Sequence, residues 1–369
     1  MDVEWMDLIS KRLITIDIGN YNTKIIQGKR MRGRIIVQKA VVFKTPESAI
    51  EDGRITNINA LAMQIKQHLQ DKKIREKNTI ITITGTSIIT RDVYFPKVSN
   101  KELKNMIRLD AQQHFPVELA GYVTDYKVLE EIQGENGKQL RVMLVAVPKS
   151  MIEGYMQLLE VCGLHAYGLD FVGNSIAKFI NHSVSKSISI TSKHQQNGTN
   201  DTVAVLDIGH KTTTVTIISN GCIKFNRILL LGSSNFINMI SNNLNISNDV
   251  AEQKMIKNGA VILYGKEMEQ EDRLMSEGIR SILIGFIDDV MKFFDFYHSR
   301  NKANQINKVY LLGGGSLVDG MEGYLEDGFN IKTQKLIVHS NIKVTKKHKQ
   351  EFDKIQVHVA NCLGAILTK

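Results

Sequence analysis

A chain of 369 residues, 43% apolar and 23% charged, is long enough for two domains with ample burial and has the composition of an ordinary folded protein. Its four Pro argue against long disordered linkers, its three scattered Cys (Cys162, Cys222, Cys362) form no paired-thiol metal or redox motif and suit a reducing compartment, and no apolar run approaches the ~20 residues needed to span a bilayer. The formal charge of +9 is spread without any nucleic-acid-binding motif, and its densest cluster, Val344 to Lys354, is broken by acids and reads as a solvated loop, so no nucleic-acid partner is expected.

The opening stretch, MDVEWMDLISKR, sets acids ahead of its apolar residues and does not read as a secretory signal. From Leu13 onward LITIDI, TKIIQG and RIIVQKAVVF have strand character, Asn57 to Lys73 has helical apolar spacing, and NTIITITG returns to strand. Such alternation predicts a mixed α/β sheet with crossover helices. The texture changes near Ser87. SIITRDVYFPKVSN precedes a helix opened by the capping box Ser99-x-x-Glu102, with Leu103, Met106 and Ile107 on one face, and Asn136-Gly137 then marks a tight hairpin. Ser87 to about Leu140 is therefore expected to form a small inserted α+β subdomain.

Alternation resumes at RVMLVAVPKS, where Ser150-x-x-Glu153 is expected to cap a helix ending near Cys162-Gly163. The strand LHAYGLD and a helix from Val172 to His182 complete a first half, residues 1–184. Residues 185–201, polar and poor in bulky side chains, read as a linker, and residues 202–369 as a second half. That half opens with a hairpin turning at Asn220-Gly221, continues through long helical stretches to about Asn301, and brings the strand KVYLL into Gly313-Gly314-Gly315.

Three segments carry chemistry. In the first, an apolar strand ends in Asp17-Ile18-Gly19, and the turn Asn20, Tyr21, Asn22 leads to Lys24. Such a turn aims backbone N–H groups at a phosphate, the Asp organises a hydrated Mg²⁺, and the Lys neutralises a phosphate oxygen. In the second, Asp207-Ile208-Gly209 repeats the device with Lys211, Thr212 and Thr213, at a separation of 207 − 17 = 190 positions. One copy alone reads as a simple turn; two at matching places suggest two related halves facing one ligand. The third is Gly313 to Gly315 with Ser316, where missing side chains let backbone approach a nucleotide and Ser316 is expected to cap a helix. The reading is a nucleotide in a cleft between the halves, with a hydrated Mg²⁺ organised by Asp17 and Asp207.

In this order the three segments resemble those of the actin, Hsp70 and sugar-kinase superfamily. Within it the chain is similar to the FtsA-like branch and most of all to the PilM family of type IV pilus assembly proteins. The insertion after IITITG carries that similarity, together with VSNKELKNMIRLDAQQHFPVELAGYVTDYKVL, GLHAYGLD, AEQKMIKNGA and IRSILIGFIDDVMKFFDF. The resemblance implies an actin-like (ribonuclease H-like) two-domain fold, ATP and Mg²⁺ as ligands, and at most slow hydrolysis: Asp170, closing GLHAYGLD, is the one acid of the first half whose context is similar to that of the superfamily's catalytic acids, and its alternative role is an N-cap of the helix that follows. It also implies a cytoplasmic adaptor at the inner face of the cytoplasmic membrane. Its partner there would be the short tail of a PilN-type membrane protein, lying as an extended peptide beside the insertion near Ser87 to Phe95, with other pilus assembly proteins as further partners. A filament-forming cell-division protein and a small-molecule kinase are the alternatives; the kinase would need a sugar-binding cluster of acids and amides, which is not evident. Two departures stand out. His210 and Lys211 replace small residues in the second loop, and Tyr21 is bulky for the first. The sequence stops at NCLGAILTK, without the linker and amphipathic helix by which FtsA-type chains bind membranes, so membrane association is expected only through the partner.

Overall fold

The computed structural model describes residues 12–368 apart from 32, 135–136, 192–201, 260, 262–268, 302–303 and 338–341. The opening stretch, Asn136 of the expected hairpin turn and most of the expected linker lie outside the described residues.

The first half begins with the meander Leu13–Ile18 (β1), Asn22–Met31 (β2) and Arg34–Lys44 (β3). The short pair Ile50–Glu51 (β4) and Arg54–Ile55 (β5) leads to helix Ile58–Asp71 (α1), which Asn57 caps by accepting from the Ala60 amide, and then to Asn78–Ile83 (β6). The insertion comprises Ile89–Pro96 (β7), Asn100–His114 (α2), Tyr122–Gly134 (β8) and Gly137–Pro148 (β9). Helix Lys149–Cys162 (α3), strand His165–Phe171 (β10) and helix Val172–Thr191 (α4) follow. The second half runs Thr202–Ile208 (β11), Thr213–Ser219 (β12), Cys222–Leu229 (β13), Ser233–Leu244 (α5), Asn248–Asn258 (α6), Gln270–Arg300 (α7), Ile306–Leu312 (β14), Met321–Phe329 (α8) and Thr333–Lys335 (β15). It closes with Ile342–Val344 (β16), Lys349–Ile355 (α9) and Ala360–Ile366 (α10).

The two main sheets share one plan. In the first, β3, β2 and β1 are antiparallel neighbours, and β6 and then β10 continue the sheet in parallel from β1; in the second, β13, β12, β11, β14 and β15 repeat that order and those directions. Each parallel step needs a helical crossover, which is why alternation was legible. Apolar side chains of the central strands are fully buried, as in Ile14, Ile16, Val205 and Leu206. Between the sheets, α4 and α10 pack on each other; α4 also meets β12 and β13, while α10 meets β1, β2 and β6. Their close approach depends on Gly364, where a Cβ would fall 1.9 Å from the Ser175 carbonyl oxygen.

Several expectations need correction. The capping box Ser99–Glu102 forms as expected, but α3 starts at Lys149 with Pro148 before it and no side-chain cap, so Ser150 and Glu153 form no capping box. The proline ends the strand and its fixed φ directs the chain into the helix. The insertion does not end near Leu140, because β9 pairs with both β7 and β8 and runs on to Pro148. Helix α4 continues through the expected start of the linker to Thr191, since no Gly or Pro interrupts it before Asn197-Gly198. Nor is 202–369 a self-contained half: β16 adds a parallel strand to β3, and α10 returns to β1. Among the described residues no helix is long and apolar enough to cross a membrane.

Candidate functional site

The two Asp-Ile-Gly turns have the same backbone. Gly19 N donates to Asn22 O at 3.0 Å, and Gly209 N donates to Thr212 O at 2.9 Å. Their anchors differ. Thr45 Oγ1 donates to Gly19 O at 2.8 Å and Asn20 Nδ2 to Ile50 O at 3.2 Å, whereas the start of α5 holds the second turn through Ser233 N to Gly209 O at 2.9 Å and Ser234 N to His210 O at 2.8 Å. Strand register then selects what faces each acid. Asp17 lies opposite Lys24 on β2, and Asp207 lies opposite Thr214 on β12.

The acids converge at the base of the cleft. Lys24 Nζ is 3.1 Å from Asp17 Oδ2, and Asn361 Nδ2, from α10, reaches Asp17 Oδ2 at 3.3 Å and Asp207 Oδ2 at 3.2 Å. Burial opposes the Lys24 charge, but the carboxylates of Asp17 and Asp207 outweigh it and hold its pKa above the ordinary lysine value. Burial pushes the Asp207 pKa up; Lys24 works against this, Asp17 adds to it, and the Asn361 amide offsets part. Burial, then the Lys24 charge, push His358 down to about 4, so this imidazole is neutral at physiological pH.

A cavity of about 330 Å³ lies between the halves. Of the residues singled out from sequence, Asp17, Gly19, Asn20, Tyr21, Asn22, Lys24, Asp207, Gly209, Thr212, Gly313 and Gly314 line it. Lys211, Thr213, Gly315, Ser316 and Asp170 do not. Lys211 is exposed to solvent, and the buried Thr213 gives its hydroxyl to Leu231 O at 2.7 Å, leaving Thr214 to face the cavity. Gly315 sits against Ile208, and Ser316 caps no helix: its Oγ donates to Gly313 O at 2.7 Å within a short 3₁₀ turn, and α8 begins only at Met321. Asp170 accepts from Asn174 Nδ2 at 2.7 Å, from Lys178 Nζ at 2.6 Å and from Ser175 Oγ; it fastens the first turns of α4.

Sequence reasoning missed His358 and Asn361, which follow no phosphate-loop motif and arrive only because the C-terminal helix folds back, and Glu252, Met255 and Ile256 on α6. At the mouth, the loop tips meet. The rings of Tyr21 and His210 stand 4.9 Å apart, and His210 Nδ1 is 3.3 Å from Ser233 Oγ. Burial, then the hydrogen bond and charge of Glu252, push the Tyr21 phenol up to about 12.

The residues suit a nucleotide with a hydrated cation. Gly313 has φ +78, and a Cβ there would fall 2.3 Å from Ile208 O and 2.6 Å from Asp207 Oδ1, so only bare backbone fits beside the acid. The Asn361 Oδ1 atom is buried without a hydrogen-bond partner among the described residues, an acceptor next to two carboxylates. Among the described residues no group of three or more His, Cys, Asp and Glu could cage a metal, but Mg²⁺ keeps several waters and binds through one or two carboxylates plus phosphate oxygens.

A second cavity, about 380 Å³, lies beside the insertion, lined by Ile88 to Arg91 on one side and Asn226 to Ile228 on the other. Thr84, Val172 and Thr214 form a wall common to both cavities. Strand β7, at its rim, pairs only with β9 among the described strands.

Residues 15–366 match the model of a protein family described as type IV pilus assembly protein PilM. Among solved structures the chain is similar to one from a PilM–PilN type IV pilus biogenesis complex, with 20% identity, a TM-score of 0.79, and coverage of 96% of this chain and 97% of that one. The ethanolamine utilization protein EutJ from Carboxydothermus hydrogenoformans has 14% identity and a TM-score of 0.57, covering 98% of this chain and 92% of its own. MreB 5 of Spiroplasma citri bound to AMPPNP has 12% identity and a TM-score of 0.52, covering 96% and 94%. These likenesses establish an actin-like fold.

Proposed function

The chain belongs to the PilM family of type IV pilus assembly proteins, and on that premise we propose that it is an actin-like ATP-binding adaptor that holds the N-terminal tail of a PilN-type inner-membrane protein. The observation that carries the nucleotide half is the convergence of two congruent turns, each ending a strand in Asp-Ile-Gly, on the bare backbone of Gly313 and Gly314. Backbone N–H groups of the turns would cradle phosphates, and Lys24, already in the cavity wall, supplies a cation to them. A Mg²⁺ ion bound with the nucleotide would neutralise phosphate charge, with Asp17 and Asp207 holding its waters. Asp170, on β10 and bonded to Ser175 and Lys178 of α4, does not line the cavity and is not positioned to activate a water there. Turnover is accordingly expected below about one per second, under the usual enzyme range.

The partner half rests on the second cavity and the one-sided pairing of β7. An extended tail laid there would add to the free edge of β7 and seat alternate side chains in the cavity. This adaptor reading puts the protein in the cytoplasm, at the inner membrane through its partner. Two experiments test it. Calorimetry with ATP and Mg²⁺ should give binding in the native chain that Asp207→Ala weakens sharply; native-like binding by that variant removes the nucleotide reading. Synthetic N-terminal tails of the neighbouring pilus membrane protein should be captured by the native chain and not by Thr90→Trp, which fills the second cavity. Equal capture by both, or by neither, removes the partner reading.

A further inference from the structure

Asn361 stands where the two halves and the C-terminal helix meet. It is 6% exposed, and its Nδ2 donates to one oxygen of Asp17 and one of Asp207. Both partners are carboxylates, which only accept, so the amide must turn its NH₂ toward them. That choice leaves Oδ1 as a buried acceptor without a partner among the described residues, in a side chain that lines the cavity. Native proteins satisfy the large majority of such atoms, and leaving one unmade costs ~1–3 kcal/mol. The position is tightly held, because α10 is buried along its whole length and Gly364 seats it against the Ser175 backbone.

A hydrated divalent cation held by the two carboxylates would bring water O–H donors to this side of the cleft. We propose that Asn361 is a third protein contact of the cation site: its Oδ1 accepts from a cation-bound water, while its NH₂ keeps Asp17 and Asp207 together when no cation is present. The inference rests on the nucleotide reading of the cleft. It assigns a role to a residue outside all three phosphate and glycine segments, and it makes the C-terminal helix part of the cation site.

The test measures Mn²⁺ binding to the full chain by electron paramagnetic resonance, with and without ATP, for the native protein, Asn361→Leu and Asn361→Asp. Groups that hold metal-bound ligands from behind typically contribute 10–100-fold to metal affinity, so Asn361→Leu should bind Mn²⁺ at least ~10-fold more weakly in the presence of ATP. Asn361→Asp, close in size and adding a carboxylate, should bind Mn²⁺ more tightly than the native chain even without ATP, and Mn²⁺ alone should raise its melting temperature more. The loss of ATP affinity caused by Asn361→Leu should be several-fold smaller in EDTA than with Mn²⁺. Native-like Mn²⁺ affinity in both variants, with the native chain binding ATP and Mn²⁺ normally, overturns this inference and leaves the nucleotide site standing. An equal loss of ATP affinity with and without Mn²⁺ also overturns it, because Asn361 would then contact the nucleotide itself. If the native chain binds neither ATP nor Mn²⁺, the reading of the cleft falls and the inference with it.

Discussion

The two Asp-Ile-Gly hairpins are near copies in backbone and opposites in electrostatics. Each closes its turn with the same amide-to-carbonyl bond between the Gly and the residue three further on, and each sets its Asp on a central strand. The first places a lysine across the strand from its acid, so Asp17 brings its own counterion. The second places Thr214 there, and Asp207 depends on what reaches it from elsewhere: the Lys24 charge and the Asn361 amide. A duplicated fold has thus produced one acid that is settled at rest and one that is left partly uncompensated, with its pKa raised by burial. The difference identifies Asp207 as the acid with the most to gain from a bound cation.

The sharpest way to break this comparison is to remove each acid in turn. Asp17→Ala strands Lys24, whose side chain is only 16% exposed, and should destabilise the protein by ~3 kcal/mol, as removal of one member of a buried pair does. Asp207→Ala removes an acid that repels Asp17 and should leave the metal-free melting temperature nearly unchanged, yet cost at least ~100-fold in Mg²⁺-dependent ATP affinity, or ~2.7 kcal/mol. Thermal unfolding and calorimetry on the pair read both quantities. Equal destabilisation by the two substitutions would mean that the hairpins are electrostatically alike.

Titration sharpens the contrast. His358 has a folded pKa of about 4 against an ordinary 6.5, so between those values the unfolded chain binds more protons and stability falls as the pH is lowered. The loss should approach ~2–3 kcal/mol by pH 4, and His358→Gln should remove that part of the acid sensitivity. Asp207 has the opposite sign. Its raised pKa means that the folded state holds the proton longer, so its penalty grows as pH rises from the ordinary carboxylate range through the folded value, and persists above it. Metal-free Asp207→Asn should therefore melt higher than the native chain at neutral pH and show no such gain in acid. Denaturant curves at several pH values check both signs.

Much of this architecture was legible because the signals are local. Alternating apolar runs announce crossover units, Asn220-Gly221 takes positive φ at both residues as a tight hairpin requires, and Ser99 with Glu102 forms its capping box. The strand-ending Asp-Ile-Gly pairs were readable for the same reason. What escaped depends on partners distant in the chain. Nothing near Asn361 says that α10 will cross back onto β1, and Thr213 and Thr214 cannot be told apart until register decides which faces the cavity. Asp170 looked like a reactive acid because a lone carboxylate at a strand end says nothing of Ser175 and Lys178 waiting on the next helix.

The smallest effects should come from the tips of the hairpins, where the two copies differ most in bulk. Tyr21 from the first turn and His210 from the second face each other across the mouth, with the Glu252 charge acting on the Tyr21 hydroxyl, so this contact ties one half to the other without touching the acids below. Aromatic pairs of this kind contribute ~0.5–1.5 kcal/mol, and part of that is offset here by solvent at the rim. Tyr21→Ala should thus lower stability by under ~1 kcal/mol. Its kinetic effect should be larger than its thermodynamic one, because a contact that closes the mouth must open for a nucleotide to enter or leave and slows both passages alike. Stopped-flow measurements with a fluorescent ATP analogue should show association and dissociation faster by a similar few-fold factor in Tyr21→Ala and in His210→Ala, with the dissociation constant little changed. Acceleration in one variant and not the other would mean that the rings act separately, and unchanged rates in both would reduce the meeting of the tips to simple packing.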